Sequence, residues 1–74
     1  MMRVTVIWKL LWRDKEPEDI LVPEGSRVEN LLSLLHEEDL QEHVLIARNK
    51  HMTDGSELLC DGDTIIVLPV ILGG

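Results

Sequence analysis

The chain closes on Pro69-Val70-Ile71-Leu72-Gly73-Gly74, and the chemistry it offers starts from the two glycines. A diglycine end has no side chains, so it can thread a narrow active-site slot that any Cβ would block. What it delivers there is the Gly74 carboxylate, a poor electrophile until its charge is removed by activation. An unstructured terminus would tolerate any residue. Two terminal glycines nevertheless arise by chance only about once in 200 chains of average composition, and here they follow an apolar strand directly. Other constellations offer less. Cys60 is the single cysteine; set beside Leu58, Leu59 and a tight turn, it reads as a small core residue. His36, His43 and His51 match no metal-ligand spacing, and no second cysteine is available to share a zinc site. Glu37-Glu38-Asp39 with Glu42 reads as a solvated charged face rather than a paired-carboxylate site. No nucleophile–base pair, P-loop or glycine-rich phosphate loop occurs. The chain is expected to have no catalytic residues of its own and to bind no metal.

The whole composition narrows the partners. Seventy-four residues of 8.4 kDa make one domain with a thin core. Fourteen acidic against seven basic residues give a net charge of −7 and a pI near 4.7. That balance argues against nucleic acid and against anionic membrane surfaces, allows a basic protein partner, and keeps the free chain soluble. One cysteine forms no internal disulfide. The longest apolar run, residues 65–72, falls far short of the roughly 20 residues that span a bilayer. A cytoplasmic protein, monomeric when free, is the expectation.

The elements that would position the tail follow from periodicity. Val4, Val6, Trp8, Leu10 and Trp12 share one face of a strand over residues 3–12, while Ile7 and Leu11 lie on the other. A strand apolar on both faces belongs in the middle of its sheet. Residues 13–16 read as a reverse turn, Pro17 opens an edge strand, and Ile20 and Val22 alternate with Asp19 and Leu21. Pro23-Glu24-Gly25 stops that strand. Ser26 and Glu29 fit a capping box, and Val28, Leu31, Leu32 and Leu35 form one helical stripe ending near His36. Val44-Leu45-Ile46-Ala47 reads as a strand, with its inward parity left open by the pattern. Asn49-Lys50 and Asp54-Gly55 are turns around a short strand at Met52, and Leu58 and Leu59 are expected to plug the core. Asp61-Gly62-Asp63 launches the last strand, residues 64–68, apolar on both faces. Setting the first and last strands side by side makes them parallel, with the helix across one face. The expected fold is α+β: a β-grasp (ubiquitin-like) domain over residues 1–70, a mixed four- to five-stranded sheet with one helix, and a flexible tail over residues 71–74.

The β-grasp pattern, the Asp61-Gly62-Asp63 turn and the Pro69-Val70-x-x-Gly73-Gly74 ending resemble the ubiquitin-like sulfur-carrier family (ThiS/MoaD-like). The resemblance covers the chain, and its specific part is residues 59–74. It implies that an E1-like enzyme adenylates the C-terminal glycine with ATP and that sulfur then replaces the activated oxygen. The thiocarboxylate so formed donates sulfide to an acceptor synthase or thiolase in thiamine or molybdopterin synthesis or in tRNA thiolation. Carried onto this sequence, the reacting group is Gly74, with Gly73 keeping the tail slim. The cofactor, ATP, is used by the partner enzyme and none is bound here. Pro69 matches a proline many members carry; lacking an N–H, it is expected to stop pairing and release the tail. Ile71 and Leu72 depart from the small residues common in carriers and the basic residue of ubiquitin, which favours a greasier partner channel and leaves the pathway open. By parity Ile66, Leu68 and Val70, with Ile7 and Leu11 beside them, form an exposed apolar patch at the tail's root; with Ile71 and Leu72 they are the expected partner-binding residues. A second layer from the loop over residues 52–59 and simple scattered surface apolars are the alternatives. Two other functions fit the same residues: a ubiquitin-like modifier joined through Gly74 to lysines, and a non-covalent interaction subunit whose tail does no chemistry.

Overall fold

In β1, Met2–Trp8, strict alternation buries Met2, Val4, Val6 and Trp8 and turns Arg3, Thr5 and Ile7 to the opposite side. The computed structural model describes residues 1–10, 16–37, 39 and 43–70. Leu10 keeps the inward parity beyond the strand's end and is buried; Leu11, Trp12 and residues 13–15 of the expected turn lie outside the described residues. β2, Glu18–Val22, pairs antiparallel to β1 from Met2↔Val22 to Val6↔Glu18, as the hairpin reading predicts. The Trp8 indole donates to Glu18 Oε1 at 3.0 Å, so its polar edge is satisfied at the core's rim.

Gly25, at φ +88°, turns the chain out of β2. The helix start lies one residue later than the expected capping box. Ser26 Oγ donates back to the Pro23 carbonyl at 2.6 Å, within the turn. The cap bond is instead Arg27 N–H to Asn30 Oδ1, 2.8 Å. A 3-10 turn, Val28–Asn30, leads into α1, Leu31–Leu34. His36 ends it at φ +60°: its N–H donates to Ser33 O at 3.1 Å, and Glu37 N–H donates to Leu32 O at 2.7 Å. That bond pair is a Schellman stop, which closes the helix where the stripe runs out. Val28, Leu31 and Leu32 are buried in the core and Leu35 packs against it.

β3, Val44–Arg48, and β4, His51–Met52, are joined by Asn49 and Lys50, both at positive φ as a two-residue hairpin of the primed type requires. β5, Thr64–Pro69, lies parallel to β1 and antiparallel to β3. The five strands run in the order β2-β1-β5-β3-β4, with the two doubly apolar strands inside. This is the β-grasp arrangement. The open parity question at β3 is decided by register: Ile46 pairs with core-facing Val67, so Val44, Ile46 and Arg48 face the helix, while Leu45 and Ala47 face away with Leu68 and Ile66. Leu59 is buried, but Leu58 is 51% exposed, correcting its assignment to the core. Leu58 is held in a bridge opposite Arg27, which fixes its backbone and leaves its side chain outside.

Candidate functional site

The last strand sorts its side chains by parity. Ile65 and Val67 are buried under the helix. Ile66 and Leu68 lie half-buried on the other face, where Ile66 sits between Ile7 and Ala47, and Leu68 opposite Leu45. The loop over residues 53–59 does not cover them. It is bonded to the start of the helix by Val28 N–H to Glu57 O (2.9 Å), Glu29 N–H to Gly55 O (2.9 Å) and Leu59 N–H to Ser26 O (2.8 Å). The second-layer alternative is thereby excluded, and no described element packs on the face. Leu45, 45% exposed, and Met52, 56% exposed, extend it beyond the residues expected from sequence. Those additions were illegible in advance because a strand reading Val-Leu-Ile-Ala is apolar in either parity.

Pro69 does not end pairing, contrary to expectation. It remains within β5 opposite Val44, and the next residue, Val70, donates its N–H to the His43 carbonyl at 3.1 Å. The physical reason is directional. Successive residues of a strand aim their N–H groups at alternate neighbours. Lys9 N–H donates to Val67 O, so position 69 faces β1, where the ladder would next need a donor to Lys9 O. Proline withholds the bond to β1 alone; Val70 still bonds to β3. Half-buried Val70 is therefore a fixed root on the apolar face. Ile71, Leu72, Gly73 and Gly74 lie outside the described residues.

The turn that launches β5 is held by Asp63, only 5% exposed. Its carboxylate accepts from Arg48 Nε at 2.8 Å, Asn49 Nδ2 at 2.9 Å and Cys60 N–H at 2.8 Å. Burial alone pushes the Asp63 carboxyl up, but the bonds from Arg48, Asn49 and Cys60 outweigh it and hold it below the ordinary carboxylate value. Asp63 raises Arg48 in return. Cys60 is exposed, correcting its reading as a core residue; its Sγ lies 3.5 Å from Arg48 Nη2. His43 and His51 are exposed on different elements, and His36 caps the helix. Among the described residues no three His, Cys, Asp or Glu side chains gather where they could hold a metal ion. No helix among them is long and apolar enough to cross a membrane.

The described part of the candidate site is thus an apolar sheet face with Val70 bonded at its end, and residues 71–74 follow it in sequence. The ThiS family model matches residues 12–74, the end included. The chain belongs to the ThiS family. Fourteen chains of solved structures match it. It is similar to a Pyrococcus furiosus protein described as molybdopterin converting factor, subunit 1, at 28% identity and a TM-score of 0.80, covering 96% of this chain and 100% of that one. It is also similar to a chain of the complex of subunits 1 and 2 of the molybdopterin-converting factor from Helicobacter pylori 26695. The identity there is 32% and the TM-score 0.71, with 99% and 100% of the two chains covered. Caldiarchaeum subterraneum ubiquitin, at 12% identity and a TM-score of 0.71 over 99% and 98% of the chains, shares the fold. No curated protein sequence matches. Membership of the ThiS family supports a sulfur-carrier role, and small carriers of this family are not themselves catalysts.

Proposed function

We propose that this ThiS-family chain carries sulfur as a thiocarboxylate on Gly74, made after adenylation by an E1-like enzyme in the cytoplasm. The observation that carries the reading is the family match, which runs through Gly73 and Gly74. The carboxylate attacks the α-phosphorus of ATP held by the partner, and pyrophosphate leaves. The acyl adenylate has lost the negative charge that repels a nucleophile and has gained a good leaving group. A sulfur nucleophile then adds to the carbonyl and expels AMP, and the resulting thiocarboxylate passes its sulfur to an acceptor. The Helicobacter pylori relative was solved as a complex of two subunits, and we infer an acceptor subunit of that kind for this chain. This protein supplies position rather than acid or base: Ile66, Leu68 and Val70 dock, Ile71 and Leu72 thread the partner's channel, and Gly74 is presented at the phosphate.

Mass spectrometry of the chain incubated with its own organism's activating enzyme, ATP and a sulfide source tests this. The expected product shows one sulfur-for-oxygen exchange. Gly73→Ala should cut adenylation sharply with no change in melting temperature. Deleting Gly74 should abolish it, because the end then falls short by about 3.5 Å. A wild-type chain that forms neither adenylate nor thiocarboxylate refutes the proposal; attachment to lysines of other proteins would make it a modifier instead.

A further inference from the structure

The net charge of −7 directs attention to a basic partner, but the charges are not spread evenly. Glu29, Asp54 and Glu57 stand on the helix start and on the loop bonded to it, on the side of the sheet away from the apolar face. Of the described cations, Arg48 is engaged with Asp63 and Glu57, and Arg27 bonds the Ser56 carbonyl. Arg3 shares its corner of the open face with two carboxylates. Asp61 accepts the Arg3 N–H at 2.8 Å, and Asp19 accepts the Thr5 hydroxyl at 2.6 Å two pairs along β1. Lys9 and Lys50, exposed like Arg3, form no ion pair with a described residue and lie along the apolar part of the face. Lys9 follows Trp8 in outward parity beside the Leu68 end of the strand, near the tail's root. Lys50 lines a groove of about 310 Å³ with Ile7, Ile66, Asn49 and Thr64 at the other end. Lys50 also holds φ +73°, at the second position of a turn where glycine is favoured.

We propose that the surface covering Ile7, Ile66 and Leu68 is an acidic patch of the activating enzyme, with carboxylates opposite Lys9 and Lys50. The proposal rests on the docking reading above and adds the partner's charge, opposite in sign to what net charge implies. Apolar burial supplies the contact; the two ammonium groups steer and orient the encounter, with their stems lying along the apolar floor.

Binding kinetics on the purified activating enzyme test it. Lys9→Gln and Ser33→Glu take the chain from −7 to the same formal charge of −8, one on the open face and one on the exposed side of α1. At about 50 mM salt we expect each of Lys9→Gln and Lys50→Gln to slow association roughly threefold, and Lys9→Glu with Lys50→Glu to slow it at least about tenfold. Ser33→Glu should leave it unchanged. The wild-type rate should fall, and these differences shrink, near 0.5 M salt, where the screening length is about 4–5 Å. Lysine variants that associate as fast as wild type, or a Ser33→Glu variant slowed as much as Lys9→Gln, overturn the acidic patch. Leu68→Asp separates the two failures. If it abolishes binding while the lysine variants bind normally, the docking face stands and the charge assignment falls; if it binds like wild type, the docking reading falls as well.

Discussion

Neighbouring residues of β5 have opposite duties. Val67 is 2% exposed beneath the helix, whereas Leu68, one position on, faces outward opposite Leu45. An aspartate at 67 would bury a carboxylate among Trp8, Leu31 and Ile65 with no partner, a cost of several kcal/mol in a domain of about 5–15 kcal/mol. Val67→Asp is therefore expected to unfold the protein. Ile66→Asp and Leu68→Asp should melt within a few degrees of wild type and lose binding to the activating enzyme. Equal unfolding of Val67→Asp and Leu68→Asp in thermal melts would show that the open face is covered after all.

The helix is short for its task. α1 has four residues, preceded by a three-residue 3-10 turn, so intrinsic helix propensity contributes little at this length. Its stability comes from the cap at Asn30, the Schellman stop at His36 and the burial of Val28, Leu31 and Leu32 at 0%, 2% and 3% exposure. Truncating Leu31 or Leu32 to alanine should cost about 2–5 kcal/mol, because each leaves a cavity against the sheet. Chemical denaturation should show the loss as a lower midpoint with an unchanged slope. Wild-type stability in both variants would show that this segment does not clamp the sheet.

At the scale of the molecule, Asp63 joins parts distant in sequence: the Cys60 turn, the end of β3 and, through Thr5 N–H to Asp63 O at 2.9 Å, the middle of β1. Its carboxyl titrates below the ordinary value of about 3.8 when folded. Stability from this group is therefore fully present above the ordinary value and is lost as pH falls through the folded one. Asp54, lowered by the Ser56 hydroxyl and N–H, acts in the same direction. Asp63→Asn keeps one acceptor and loses the charge, so it should cost about 1–3 kcal/mol at pH 7. Its stability should also fall less steeply than wild type between about pH 5 and 2. Parallel acid-unfolding curves for the two proteins would remove Asp63 as the group that senses acid.

Local pattern alone was enough for whatever depends on one element at a time. Alternation in β1 and β5, the stripe Val28-Leu31-Leu32-Leu35 and the turns at Gly25, Asn49-Lys50 and Gly62 could be read directly, and two doubly apolar strands sufficed to order the sheet. The slimness of the diglycine end is likewise a property of its own residues, while the carrier role came from the resemblance of residues 59–74 to the family. Tertiary structure decided what depends on neighbours. The parity of β3 came from its register with β5, since its own residues are apolar both ways. Pro69 stays paired because its missing N–H faces β1 while Val70 faces β3, a direction no composition encodes. Cys60 and Leu58 are exposed because the Asp63 bonds and the Arg27 bridge hold their backbone at the edge of the core. The placement of Lys9 and Lys50 is tertiary too: neither forms an ion pair with a described residue, whereas net charge sums over both sides of the sheet.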